Sequence, residues 1–424
     1  MNSGGGAAPA GLHPAVTAVF QKEYSRVLAA LMRSVRDLEL AEDSLSEAIS
    51  AALEHWPQTG LPERPGAWLL VTARRKALDQ LRRRKNAELH RPELIWREHE
   101  QMEARLRDPT EPLTDDRLRL MFMCCHPALP REMRLALTLE TLGGLTPKEI
   151  AAVFFVPTAT ISQRLTRCKR KIRDGKIRFE IPNDSKLDDR LQSVLEVISS
   201  MFTEGHLPSQ GPHLVRGELC DEAIRLGRWL SFNLPEQPET EGLLALMLLT
   251  DARRMARTDA SGDLIPLDEQ DRSRWDREKI AEGTARIERA LMKGHLGPFQ
   301  LQAAIAAVHA EAETASETDW GQIALLYDEL ERLNPTFAIL LNRIIAWSMA
   351  EGPEIGWKLL EDLEREPFGP RLASICSYHL TRADLLVRRG CLEQARSAYA
   401  RARELADNRR VQRFIDRKLL QRVG

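Results

Sequence analysis

The sequence predicts an all-α protein. Three observations carry this expectation. Hydrophobic residues reach 43% while aromatics stay at 5%, a balance that suits Ala/Leu-rich helices better than sheets, which draw on Val, Ile, Thr and aromatics. Apolar residues recur at spacings of three and four along much of the chain. The runs are punctuated by Gly, Pro and helix-capping residues. At 424 residues the chain exceeds one ordinary core, so two or three domains are expected.

The net charge of −1 conceals an asymmetry. Residues 1–180 hold 29 Lys and Arg against 23 Asp and Glu, about +6, and the remainder holds 32 against 39, about −7. Only the first part is suited to meet nucleic acid. No run approaches the ~18 apolar residues of a membrane span. The start, MNSGGGAAPAG, lacks a basic and an apolar segment and reads as a disordered tail over 1–12 rather than a signal peptide. Six cysteines in so long a chain form no disulfide framework. The expectation is a soluble, cytoplasmic protein with no membrane partner.

Residues 13–85 read as one helical unit. A first helix spans about Ala15–Val35, with Val16, Phe20, Val27 and Leu31 on one face. Asp37 caps a second helix to about His55, which turns Leu38, Ala41, Leu45, Ala48, Ala52 and Trp56 inward. Pro57 to Gly66 is turn-rich, and a third helix runs from Ala67 to about Lys85 with seven basic residues against one acid. Residues 86–114, with Pro92, Pro109 and Pro112, read as a linker. Residues 115–180 form a second helical unit, and 187–424 a long series of helices.

The strongest local signal is a helix-turn-helix. Thr146 and Glu149 form a capping box around Pro147 at the first helical position. Ile150, Ala151 and Phe154 face inward, and Phe155-Val156-Pro157 makes the turn. The next helix carries Ile161, Leu165, Cys168 and Ile172 at spacings of four, three and four. Off that stripe stand Thr160, Ser162, Gln163, Arg164, Thr166, Arg167, Arg170 and Lys171, short polar groups and cations able to read base edges and bind phosphate. The helix before the first basic one is its opposite: Glu39, Glu42, Asp43 and Glu47 crowd its exposed side, a face that repels DNA and suits a basic protein partner.

Together these segments resemble extracytoplasmic-function sigma-70 factors of RNA polymerase. Leu40 to Ala48 resembles the acidic helix of region two that docks on the polymerase clamp. Pro65 to Asp79 looks like the −10 recognition helix, and Leu142 to Ala151 with Ser162-Gln163-Arg164-Leu165 looks like region four, which binds the −35 element. Phe122 to Pro127, Asp251 to Arg254 and Asp268 to Asp276 resemble the subgroup with a tetratricopeptide-like C-terminal extension. Ser46 stands where the family usually carries Gln, and Arg75 where it carries Asn. The resemblance implies core RNA polymerase and promoter DNA as partners. Glu39, Glu42, Asp43 and Glu47 would bind the polymerase. Arg64, Trp68, Arg74, Arg75, Lys76, Arg82 and Arg83, with the Leu61–Gly66 loop, would engage the −10 strand. Thr160 through Lys171, as enumerated above, would bind the −35 groove.

In the C-terminal part, residues 373–406 carry the clearest repeat, with Tyr378, Ala383, Leu386, Gly390, Ala395, Tyr399 and Ala402 alternating small and large over ~34 residues. A second unit over 335–363 places Asn342, Ala346, Gly352, Gly356 and Leu360 comparably, and Gln322–Leu333 supplies a further helix. Such pairs stack into a solenoid with a concave face for an unidentified ligand or protein. Cys124-Cys125-His126 is not read as a metal site, because adjacent cysteines lack the C-x-x-C spacing; core packing is expected. His206 is a lone imidazole. No nucleophile–base pair stands out, so neither an enzyme nor a cofactor is expected. The rival reading is a helix-turn-helix regulator with a repeat scaffold that never binds core polymerase.

Overall fold

The computed structural model describes residues 12–87, 116–154, 156–175, 177–206, 216–259, 262–406 and 409–422. Among them every regular element is helical, as the composition predicts, and one isolated antiparallel bridge links Thr258 and Leu264. The chain divides into two compact units, Met1–Val197 and Ile198–Gly424. The tail expected over 1–12 and the linker over 86–114 fall outside the described residues, except that helices reach Leu12 and Ala87.

In the first unit, α1 (Leu12–Val35), α2 (Leu38–Thr59) and α3 (Pro65–Ala87) pack as a three-helix bundle. Asp37 caps α2 by accepting from the Leu40 amide at 3.1 Å. Val27, Leu31, Leu38, Ala41, Leu45, Ala48, Ala52 and Trp56 are buried, with Leu70, Ala73, Ala77 and Leu81 from α3. Trp56 stacks on Phe20 at 5.4 Å and meets Trp68 edge-on at the same distance. Both α2 and α3 run beyond the expected ends. Pro57 sits in the last turn of α2, where its ring does little harm because the helix is already ending at Gly60, φ +83°.

Four short helices follow: α4 (Arg117–Cys124), α5 (Arg131–Thr141), α6 (Pro147–Phe154) and α7 (Thr158–Asp174). Between α5 and α6, Gly144 takes φ +67°, a left-handed turn that favours glycine. The division between the two units falls inside α8 (Asp184–His206), whose first half packs on this group: Arg190 donates to the Phe122 carbonyl at 2.6 Å, and Glu196 pairs with Arg134 at 3.8 Å. Its apolar stripe, Leu191, Val194, Leu195, Ile198 and Phe202, is buried throughout.

The second unit is built from α9 (Gly217–Asn233), α10 (Pro238–Asp251), α11 (Arg277–Leu291), α12 (Pro298–Glu311), α13 (Trp320–Leu333), α14 (Phe337–Glu351), α15 (Pro353–Arg365), α16 (Gly369–Leu372), α17 (Cys376–Arg388), α18 (Leu392–Leu405) and α19 (Arg409–Arg422). Antiparallel neighbours α14/α15 and α17/α18 are joined at Gly352 and Gly390, with φ of +103° and +78°. A Cβ on Gly356 would lie 2.5 Å from Ser348 Cβ, so glycine is what lets α14 and α15 approach. Ala383, Leu386, Ala395, Tyr399 and Ala402 are buried between α17 and α18, whereas Tyr378 is buried against Leu341, Ile344, Leu360 and Leu363 of α14 and α15.

Candidate nucleic-acid interface

Helices α6 and α7 hold the recognition surface in place from both ends. The capping box forms as its residues dictate: the Thr146 amide donates to Glu149 Oε2 at 2.7 Å, and the Glu149 amide returns a bond to Thr146 Oγ1 at 3.3 Å. The turn closes through the Val156 amide on the Ala151 carbonyl at 3.2 Å. Ile150, Ala151, Ile161, Leu165, Cys168 and Ile172 are buried, which fixes the rotation of α7. Phe154, expected inward, is only partly covered, because it ends a helix of two turns.

That rotation leaves Ser162, Gln163, Thr166, Arg167, Arg170 and Lys171 exposed on one side, with Thr160 half-buried at its start. Thr166 Oγ1 spends its hydrogen on the Ser162 carbonyl at 2.9 Å, but its oxygen can still accept. Arg164 is half-buried and pairs with Glu132 at 3.0 Å, so it braces α7 against α5.

On α3 and the turn before it, Arg64, Arg75, Arg82 and Arg83 are exposed. Trp68 is half-buried, stacked on His55 at 6.1 Å and edge-on to Trp56. Lys76 pairs with Glu47 at 3.5 Å, and Arg82 lies 3.8 Å from Asp79. Arg74 departs from the expectation. It is buried, 7% exposed, because it shares the apolar stripe with Ala73 and Ala77. Its guanidinium is packed inside the bundle and does not lie on the face offered by Arg75.

The acidic helix is also corrected. Sequence places Glu39, Glu42, Asp43 and Glu47 on one solvated face; in the structure Asp43 and Glu39 are exposed, Glu42 and Glu47 are half-buried, and Glu39, Glu42 and Glu47 are engaged by cations or amides. Glu47 accepts from Gln80 at 2.8 Å besides Lys76. Glu42 keeps 11% side-chain exposure and lies 2.6 Å from Lys169 Nζ of α7, which also holds Glu140 of α5 at 3.0 Å. Arg173 reaches Glu39 at 3.1 Å. The reason is local: Lys169 follows the buried Cys168, so it leaves α7 at the edge of the buried stripe rather than on the open side. Burial first, then Glu140, pushes the Glu42 carboxyl far above its usual range, and burial raises Glu140 as well. Burial depresses Lys169, but the two carboxylates outweigh it and its pKa is raised. Tyr24 beside them is raised by burial and then by both acids. Glu140 was not picked out from sequence, and Lys169 and Arg173 read there as part of a basic run for the DNA backbone rather than as partners of α2. A charged residue at the border of an apolar stripe is the one signal that could have flagged Lys169.

Cys124 and Cys125 are buried between α4 and α5, their sulfurs 3.2 Å from Thr141 Oγ1 and 3.5 Å from Thr138 Oγ1. Burial raises both thiols, and they serve as core.

Residues 19–87 match the family Sigma-70 region 2, residues 119–172 match Sigma-70, region 4, and residues 190–291 match a Family of unknown function (DUF6596). The chain belongs to the extracytoplasmic-function sigma-70 family. It is 41% identical over 396 residues to Uncharacterized protein R00370 of Rhizobium meliloti, covering 93% of this chain and 92% of that one. It is 27% identical over 168 residues to the probable ECF RNA polymerase sigma factor SigI of Mycobacterium tuberculosis, 39% of this chain and 57% of that one. It is 33% identical over 70 residues to the ECF RNA polymerase sigma-E factor of Escherichia coli, 16% of this chain and 36% of that one. No solved structure matches. Sigma factors as a family are not themselves enzymes. Among the described residues, no helix is long and apolar enough to cross a membrane.

Proposed function

We propose that this sigma factor directs promoter-specific initiation through α7 in the −35 major groove and through α3 with the 61–66 turn at the −10 strand. The observation that carries the −35 assignment is the row Ser162, Gln163, Thr166, Arg167 and Arg170, exposed on a helix whose opposite side is fixed by four buried residues. Side chains of this kind at the N-terminal half of a second helix reach base edges, and the following cations reach phosphate. For the −10 strand, Arg64, Arg75, Arg82 and Arg83 supply the charge, and Trp68 flanks the surface on which an unstacked base can rest. Arg74 supports α3 from inside.

Core polymerase would dock on α2 through Glu39, Asp43 and Glu42. In the observed arrangement Lys169 and Arg173 already occupy Glu42 and Glu39, so the described state is closed, and docking requires α7 to leave α2. Binding to core and exposure of α7 to DNA are thereby one opening step. The experiment is a pull-down of core polymerase with the Asp43→Lys/Glu39→Lys double variant, expected to lose capture while remaining folded; near-normal capture refutes docking on this face.

The extension reads as a tetratricopeptide-like array, supported by the α14/α15 and α17/α18 pairs with glycine joints at Gly352 and Gly390. Its role is a positive one. Helix α8 starts ten residues after α7 ends, at Asp184 against Asp174, and its first half is built into the region-four group. A short tether makes this packing nearly intramolecular in cost. The site of action is the cytoplasm, where promoter DNA and polymerase are.

A further inference from the structure

The chain between α7 and α8 turns back beside the end of the recognition helix. Helix α7 closes with the Gly175 amide on the Lys171 carbonyl at 2.9 Å, and the Ile177 amide returns to the Ile172 carbonyl at 3.0 Å. The segment then runs through Pro182 into α8, which Arg190 anchors to the Phe122 carbonyl. This return folds a cleft of about 590 Å³ within the first unit. Lys171 of α7, Arg178 and Glu180 of the connecting segment, Lys186 and Arg190 of α8, and His126 after α4 line it.

Four cations therefore share one cleft with a single acid among its described lining residues. Lys171, Arg178 and Lys186 are exposed, and among the described residues Lys171 and Lys186 form no ion pair. Arg178 lies 3.8 Å from Glu180, an exposed pair that holds it only weakly. Arg190 spends one nitrogen on Phe122, while its Nε is buried without a partner. The His126 Nδ1 accepts from the Ala128 amide at 3.1 Å, so in the neutral ring the hydrogen sits on Nε2 and can be donated. Positive charge and N–H donors without matching acids suit a phosphate-rich partner. The place of the cleft says which one. Lys171 follows Arg167 by four residues, so the two are neighbours on the surface of α7, and Lys171 joins the exposed recognition row to the cleft. Arg178 and Lys186 lie beyond residues 119–172, which match region 4.

We propose that this cleft is a second DNA contact, in which Lys171, Arg178, Lys186 and Arg190 hold the phosphodiester backbone flanking the −35 element and add affinity without reading sequence. The inference rests on α7 as the −35 helix and extends DNA binding past region four into the start of the extension. The test uses the full chain, a duplex that it enriches from a random pool, and an unselected duplex of equal length, with affinities measured across roughly 50–200 mM salt. Each phosphate contact contributes about 0.9 to the slope of log affinity against log salt, so Arg178→Gln/Lys186→Gln should lower the slope by about 1.8 on both duplexes and leave their affinity ratio unchanged. Arg332→Gln/Arg401→Gln removes the same charge from exposed positions of the second unit and should leave the slope as it is. A wild-type slope in the Arg178/Lys186 variant overturns the proposal, and so does an equal fall in the Arg332/Arg401 variant, which would be an effect of net charge alone. Should the Arg178/Lys186 variant fail to fold, Lys186→Gln decides in its place, by a fall of about 0.9 or by none. A preference for the enriched duplex that survives Gln163→Ala/Arg167→Ala refutes α7 as the −35 helix and the cleft with it, whereas an unchanged slope beside a lost preference refutes the cleft alone.

Discussion

Lys169→Ala removes the ammonium that, beside the Arg173–Glu39 pair, joins α7 to α2. In the closed state Lys169 holds Glu42 at 2.6 Å and Glu140 at 3.0 Å, with only 11% and 13% of the two carboxylate side chains exposed. Removing one partner from a buried pair costs about 3–5 kcal/mol. The low end applies here, because both acids keep some water and can take up a proton. Most of that loss falls on the closed arrangement, since opening returns both acids to solvent, whereas the two helical groups keep their own cores. A shift of about 3 kcal/mol moves the open fraction by up to roughly 150-fold, and apparent affinity for core polymerase scales with the competent fraction. The assay is titration of labelled core polymerase with wild-type and variant chains, alongside denaturant unfolding. Tighter core binding by the variant with intact folding is expected. Unchanged or weaker binding by a folded variant refutes the idea that this contact competes with docking.

The same triad sets a pH dependence. The folded pKa of Glu42 is raised, so its contribution to the closed state is fully present below the ordinary carboxylate pKa and is lost as pH rises through the folded value; core affinity should increase from mildly acidic to alkaline pH, and Glu42→Gln should flatten the profile. Gln163→Ala and Arg167→Ala should each weaken −35 discrimination by about 1–3 kcal/mol in competitive binding, whereas Lys171→Ala should weaken all sequences alike and lower the salt slope by about one. Arg74→Ala should destabilise the fold by about 1–3 kcal/mol in urea unfolding, while Arg75→Ala leaves stability unchanged and weakens binding of −10 single strands. Truncation after His206, which preserves the helix that region four packs on, should leave a DNA-binding fragment with little promoter-specific transcription; higher activity than the full chain would make the extension an inhibitor.

Helices announced themselves where one side of them is buried. The stripe Ile161, Leu165, Cys168 and Ile172 and the Thr146/Glu149 box are local patterns, and local patterns survive the absence of tertiary information. The acidic face did not read so well. Whether Glu42 meets water or Lys169 depends on how α7 lies against α2, more than a hundred residues apart in the chain, and a helical wheel contains nothing about that. Arg74 shows the same limit on a smaller scale: in the sequence it stands among the basic residues expected at the −10 strand, and its burial comes only with the fold. The meeting of the Asp251–Arg254 and Asp268–Asp276 segments, through the Asp276 amide on the Ala252 carbonyl, was hidden for a third reason, because it exists only after folding. The short motifs containing Arg253 and Arg272 were visible; their meeting was not.

The most direct measurement is run-off transcription with core polymerase in the presence and absence of the full chain, with the RNA 5′ ends sequenced. The account predicts new 5′ ends that share a −35 and a −10 element at fixed spacing and that vanish with Gln163→Ala/Arg167→Ala. A chain that binds DNA yet produces no specific 5′ ends with core polymerase would contradict it and leave a helix-turn-helix regulator in its place.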